Sequence, residues 1–284
     1  MKGGAQGHRC RTISRDRKEA QGFIKVILGH HASHGRSLPW REDITPYRVL
    51  VSEFMLQQTQ VERVLGKYSL FLQRFPDIHI LAEASLRDIL DLWQGLGYNR
   101  RAMNMWKTAQ RVVDEHQGEL PDAQDELVRL PGIGPATAGA IMAFAFNKPV
   151  VFIETNIRRV FIHSFFQDRT GVRDRELMPL VEATLDRNNP RRWYYALMDY
   201  GAMLGRQLPN PNLRSAHYTR QTPFEGSDRQ VRGRILRGLL ENGTLQAKNL
   251  SSHLEIDLDR LGRILSGLEK DGLVVREGKG YYLP

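Results

Sequence analysis

The chain has 284 residues, 41% of them hydrophobic, a formal net charge of +9 and a sequence pI near 9.8. That positive excess favours a polyanionic partner, of which nucleic acid is the usual one; a merely soluble basic protein is the plainer alternative. One cysteine, Cys10, excludes an internal disulfide and any cysteine-ligated cluster or zinc site within a monomer, and no apolar run is long enough to span a bilayer.

The N-terminal stretch MKGGAQGHRCRTISRDRK is basic and lacks the apolar segment of a secretory signal. It reads as a disordered arm over residues 1–19 of a cytoplasmic, nucleoid-associated protein. Residues 20–205 follow as a mainly α domain, with apolar positions recurring every three or four residues. In TPYRVLVSEFMLQQTQ, Thr45 is placed to cap a helix whose first position is Pro46. LAEASLRDILDLWQGLG reads as a helix closed by glycines, and LPDAQDELVRLPG as one that starts after Pro121 and stops at Pro131. Residues 206–227 carry three prolines and little periodicity, which predicts a linker wrapped over the surface. Residues 228–284 predict three helices, a strand, a Gly-Lys-Gly turn and a second strand, the pattern of a small winged helix-turn-helix domain. Such a domain either contacts DNA, through Arg260, Arg263 and Lys279, or serves as a packing module.

The stretch LPGIGPATAG at 130–139 singles itself out. Gly132 and Gly134 supply turns that side chains would obstruct, and Pro135 suits the first turn of the helix that follows. The amides of that first turn point outward, where the helix dipole favours a phosphate. Without a ligand, the same pattern would be an ordinary corner between helices.

This stretch resembles the helix-hairpin-helix of the HhH-GPD base-excision DNA glycosylase superfamily. LPWR at 38–41, TPYRVLVSEFMLQQTQ at 45–60, LWQGLGYNRRA at 92–102, IETNIRRV at 153–160 and ALMDYGAM at 196–203 match in the expected order. The resemblance covers roughly residues 20–205 and is closest to the MutY branch, the adenine glycosylases that act on mispairs. It implies two helical subdomains with a base-binding cleft between them. It further implies a monomeric DNA glycosylase in base excision repair, removing adenine opposite 8-oxoguanine or guanine from double-stranded DNA, with no membrane partner. Two alternatives stay open: a glycosylase of the same superfamily that removes thymine, uracil or another damaged base, and a non-catalytic DNA-binding regulator.

Six of the eight residues 49–56 are apolar, so Glu53 among them should lose solvation and have a raised pKa, as a proton donor near neutral pH requires. The alternative is a buried glutamate paired with an arginine. By resemblance, Glu53 protonates the adenine and assists the water. Breaking an N-glycosidic bond leaves positive charge on the sugar, which a carboxylate beneath the ring stabilises. The family normally supplies an aspartate there; this chain has Glu154, whose extra methylene moves the carboxylate by roughly 1.5 Å on an unchanged backbone. Misplacement by about 1 Å can cost on the order of a hundredfold in rate. The alternative is that Glu154 only caps a helix.

The resemblance assigns further roles. Asn156 helps hold the sugar and water. Gly132, Gly134, Ala136 and Thr137 take the DNA backbone. Gln57 and Tyr98 enter the duplex near the mispair, where the extruded base leaves a hole to fill; Leu96 sits beside Tyr98 and Gln58 binds DNA, while a core leucine and a packed tyrosine are the ordinary alternatives for Leu96 and Tyr98. Trp40, Arg41 and Asp199 line the base pocket, unless Trp40 is a core residue and Asp199 a core hydrogen-bonding one. Ala136 stands where bifunctional relatives have a nucleophilic lysine, so no strand-cleaving lyase activity is expected. The MutY branch carries four cysteines after GAM for an iron–sulfur cluster. Here GAMLGRQLPNPNLRSAHYTRQ has none, so the resemblance is to clusterless members and no cofactor or metal is expected. The winged-helix candidate stands where bacterial relatives have a Nudix-like domain for 8-oxoguanine.

Overall fold

The computed structural model describes residues 17–284. The arm expected over 1–19 lies outside the described residues as far as residue 16; residues 17–19 already belong to the first helix. In chain order the helices are α1 Arg17–His34, α2 Pro39–Glu42, α3 Pro46–Leu56, α4 Val61–Arg74, α5 Ile78–Glu83, α6 Leu86–Trp93, α7 Arg100–His116, α8 Gln124–Arg129, α9 Pro135–Phe144, α10 Thr155–Phe165, α11 Asp174–Thr184, α12 Pro190–Gln207, α13 Asp228–Asn242, α14 Ala247–Leu254 and α15 Leu258–Lys270. Three short strands, β1 Leu245–Gln246, β2 Val275–Glu277 and β3 Gly280–Tyr282, form one antiparallel sheet in the order β1-β3-β2.

Helix starts follow local chemistry. Thr45 Oγ1 accepts from the Arg48 amide at 3.2 Å, and Pro46 opens α3. The segment read as one helix over LAEASLRDILDLWQGLG is two, because Ser85 accepts from the Asp88 amide at 3.1 Å and starts α6 afresh. Gly95 and Gly97, at φ +88° and +71°, then turn the chain away.

The chain divides into two compact units, each assembled from separated stretches. The first joins the stretch ending at Arg36 to residues 147–219. It holds α1, α10, α11 and α12 around an aromatic core in which Phe23 meets Phe161 and Phe165 at 5.2 and 5.0 Å. The segment expected to lie on the surface after α12 is in part anchored. A short 3₁₀ turn, Pro211–Arg214, buries Pro211 and Asn212, and Asn212 donates to the Thr155 carbonyl at 3.0 Å.

The second unit joins residues 37–146 to 220–284. Trp93 and Phe71 meet edge-to-face at 6.4 Å in its core. The three C-terminal helices and the sheet have the element order of a winged helix. The expected helix over LQAKNLSSHLE begins two residues late, because Leu245 and Gln246 pair with β3. Arg87, at the start of α6, donates to the Leu239 and Leu240 carbonyls of α13.

Candidate nucleic-acid interface and catalytic residues

The glycine hairpin lies in the second unit and opens α9. Gly132 has φ +77°, and a Cβ there would lie 2.7 Å from the Asn104 side chain and 3.0 Å from Phe54. It is a glycine for packing and conformation. Gly134 differs: its backbone is extended at φ −88°, ψ 174°, and an added Cβ would meet nothing within 4 Å. No side chain caps α9, and Gly132, Gly134, Pro135 and Ala136 are exposed. The first-turn amides therefore face open space, the arrangement that binds an anion. Gln57 Nε2 reaches Thr137 Oγ1 at 3.2 Å and so ties the end of α3 to this hairpin.

The turns 57–59 and 94–98 meet on Arg101. This side chain is 8% exposed. It donates to the Phe54 and Met55 carbonyls at 2.8 and 2.9 Å, to Thr59 Oγ1 at 2.9 Å, and to the Leu96 and Gly97 carbonyls at 3.1 and 2.9 Å. Two acceptors are the orphan carbonyls at the end of α3; two belong to the glycine turn. Burial lowers the Arg101 pKa to about 10. Gln58 (φ 55°) and Tyr98 (φ 49°), one in each turn, occupy the left-handed region that non-glycine residues seldom enter. Gln58 is exposed and Tyr98 partly so, while the Leu96 side chain is buried. The Tyr98 hydroxyl accepts from Arg229 of α13 at 2.7 Å.

Glu53 sits on α3 between buried Ser52 and Phe54 and is itself half-buried. Trp40, on α2, is 6% exposed and packs edge-to-face on Tyr68 at 5.4 Å; Arg41 beside it is half-buried.

Glu154 and Asn156 lie in the first unit, at the start of α10. Glu154 is the N-cap: Oε1 accepts from the Asn156 amide at 2.5 Å and the Ile157 amide at 2.8 Å. The longer side chain folds back into a role that aspartate or serine ordinarily takes. Burial pushes its pKa up, against the two amides and the Arg158 and Arg159 cations, which favour the anion. Arg159 donates to Asn156 Oδ1 at 2.9 Å and to the Gly201 carbonyl at 2.8 Å, which sets the Asn156 amide. Gly201 permits this approach, since a Cβ there would lie 2.6 Å from Asn156 Cβ. Asp199, two residues earlier on α12, is buried and accepts from His31 Nδ1 at 2.9 Å and Arg36 Nε at 2.6 Å.

Arg101, Arg159 and Gly201 are not singled out by sequence pattern. The available signals are the paired arginines of NRRA and IRRV and the small residues of GAM, none of which states its partner.

The model of the HhH-GPD superfamily base excision DNA repair proteins matches residues 51–182. An adenine DNA glycosylase from Buchnera aphidicola subsp. Baizongia pistaciae is 38% identical over 187 residues, 64% of this chain and 52% of that protein, so the chain spans about half the length of that relative. An adenine DNA glycosylase from Mycobacterium tuberculosis (strain H37Rv) is 33% identical over 278 residues, covering 90% of this chain and 91% of the relative. Among solved structures, a thermostable thymine-DNA glycosylase superposes with a TM-score of 0.59 at 24% identity, covering 67% of this chain and 88% of the other. A trapped endonuclease III–DNA covalent intermediate gives 0.52 at 20% identity, covering 73% and 90%. The chain belongs to the HhH-GPD superfamily of base excision DNA repair proteins, in its MutY-like adenine DNA glycosylase branch.

The donor set for a four-cysteine iron–sulfur cluster does not fit this chain, whose one cysteine is Cys10. The segment that would hold such a cluster is pinned by the Asn212–Thr155 hydrogen bond and by a bridge between Val172 and Ser215.

Proposed function

We propose that the chain is a monofunctional DNA glycosylase of base excision repair, hydrolysing the N-glycosidic bond of adenine opposite 8-oxoguanine or guanine in duplex DNA without an iron–sulfur cluster. The observation that carries this reading is the similarity to a mycobacterial adenine DNA glycosylase over 90% of the chain. Glu53 donates a proton to the adenine, the bond from sugar to base breaks with its electron pair leaving on the base, and the sugar becomes oxocarbenium-like. The Glu154 carboxylate stabilises that cation, and Asn156 holds the sugar and water. Water adds to the sugar carbon and yields its proton to Glu53. Trp40, Arg41 and Asp199 bound the base; Gln57 and Tyr98 support the gap in the stack, with Leu96 buried beside Tyr98; Gln58, Gly132, Gly134, Ala136 and Thr137 contact the DNA. The Ala136 methyl offers no amine, so the product is an intact strand with an abasic site.

The test incubates the purified protein with duplexes carrying single mispairs or lesions and identifies the released base. Adenine from A·8-oxoguanine or A·G, with strand breakage only after alkali, is expected. Release of thymine or uracil instead, or strand cleavage without alkali together with a borohydride-trapped complex, would refute the reading.

A further inference from the structure

A cavity of about 1090 Å³ opens within the second unit, between the 57–60 turn, the 94–101 stretch and α13. Seven arginines line it against one carboxylate, Asp271. Asp271 already bonds Arg232 at 2.5 Å, and Arg101 is turned inward onto the carbonyls described above. Arg229 lies between the rings of Tyr98 and Phe224, 5.4 Å from each centroid. Arg63 and Arg234 are exposed and have no side-chain partner among the described residues, and exposed Arg237 reaches only Gln94 Oε1, at 3.3 Å. Three guanidinium groups therefore remain available to an anion beside the exposed ring of Phe224. Guanidinium forks match phosphate oxygens, and aromatic faces take nucleobases.

The surface of the C-terminal module that a helix-turn-helix would present is differently placed. Arg260 is committed to Asp228 at 2.7 Å and to the Gly226 carbonyl at 2.6 Å, bracing the start of α13. Arg263 and Lys279 are exposed but do not line the cavity. The cavity instead adjoins the hairpin: Gln57, which lines it, bonds Thr137.

We propose that this groove is a further nucleic-acid site: one strand of the bound DNA runs along α13, with its phosphates on Arg63, Arg234 and Arg237 and a base against the exposed ring of Phe224, since Arg101 and Arg229 already lie over the Tyr98 ring. The C-terminal module then holds DNA through its first helix rather than its helix-turn-helix. The proposal rests on the glycosylase reading in that the hairpin receives the same DNA.

The test measures Kd for the full chain by fluorescence anisotropy across a salt series, using a labelled duplex with one A·G mispair and labelled poly-dT. Adenine release is followed on the same duplex. Two double variants are compared: Arg63→Glu with Arg234→Glu, and Arg263→Glu with Lys279→Glu. Both change net charge equally, so a difference between them reports position. With the duplex, the first pair should flatten the slope of log Kd against log salt by about two, one for each phosphate left without its arginine. It should also weaken binding more than about tenfold, with an unchanged melting temperature; the second pair should bind like the unaltered chain. A slope lowered only by the second pair, or by neither, overturns the proposal, as does a loss confined to poly-dT. If the unaltered chain releases no base but the first pair flattens the duplex slope, the glycosylase reading fails and the groove stands. If adenine is released and the first pair binds normally, the groove fails alone.

Discussion

Arg101 is the most exacting test of how the DNA-facing turns are held. Its guanidinium joins the end of α3 to the glycine turn through four carbonyls and one hydroxyl. Holding this cation out of water is costly. The fall of its pKa to about 10, at about 1.4 kcal/mol per pK unit, amounts to about 3 kcal/mol against the ionised form. Arg101→Leu removes that cost but strands the Phe54 and Met55 carbonyls, each worth about 1–3 kcal/mol when buried without a partner, and takes about 0.5–1.5 kcal/mol of hydrogen bonding from each of the Leu96 and Gly97 carbonyls, which keep Thr59 Oγ1 at 3.4 Å and Trp93 Nε1 at 3.1 Å. Taking the middle of these ranges leaves a net destabilisation of about 2–4 kcal/mol. At about 2–4 °C per kcal/mol for a chain of this size, the melting temperature should fall by about 4–16 °C. Arg101→Lys should rescue little, since one ammonium cannot span both turns. Thermal melts by circular dichroism, with duplex affinity measured well below the transition, are the assay. If Arg101→Leu melts within about 2 °C of the unaltered chain, or Arg101→Lys restores both stability and affinity, the bridging argument is wrong.

Gly134→Ala should leave the melting temperature unchanged or raise it by the equivalent of about 0.4–1 kcal/mol, yet weaken duplex binding about tenfold; normal binding would remove the ligand reason for that glycine. Gly132→Ala, with its Cβ 2.7 Å from Asn104 at φ +77°, should cost about 1–3 kcal/mol in a denaturant titration, and an unchanged midpoint would refute the packing argument. Glu53→Gln should slow single-turnover adenine release by at least about a hundredfold with little change in binding; substantial turnover by the folded variant would remove Glu53 as the acid. The raised pKa of Glu154 means that the folded state disfavours its ionisation more than the unfolded chain does. Stability is therefore lost as pH rises through the folded pKa. Glu154→Gln keeps an acceptor for the two amides, so its melting temperature should match the unaltered chain below the ordinary carboxylate range, exceed it as pH rises through the folded pKa of Glu154, and keep a constant lead above that; a pH-independent difference would contradict this.

Features encoded over a few residues are legible without the structure. Thr45 and Pro46 announce α3, and Gly132, Gly134 and Pro135 announce the turn into α9, because capping and φ preference are decided by neighbours in sequence. Ser85 is equally local but is hidden by apolar spacing that continues on both sides of it, so two helices read as one. Strand β1 escapes notice because two residues carry no alternation; only pairing with β3 makes Leu245 and Gln246 extended. The setting of Asn156 by Arg159 and Gly201 depends on residues 42 positions apart meeting side by side, and no periodicity contains that distance.

The same limit applies to charge. A net +9 reads as a field for a polyanion, but a share of it is spent inside the fold. On a helix, consecutive residues point about 100° apart, so the Arg100-Arg101 and Arg158-Arg159 pairs divide their labour. Arg101 turns inward while Arg100 stays exposed near Asp271, at 3.7 Å. Arg158 makes a two-point contact with Asp174 at 2.7 Å while Arg159 reaches Asn156 and Gly201. Arg36 is likewise held by Asp199. These cations satisfy carbonyls and buried carboxylates, and replacing them would be felt first as lost stability. Cations without such duties, Arg63 and Arg234 among them, are the ones whose loss should appear as salt-dependent affinity. Composition alone weights both kinds equally; burial and hydrogen-bond partners separate them.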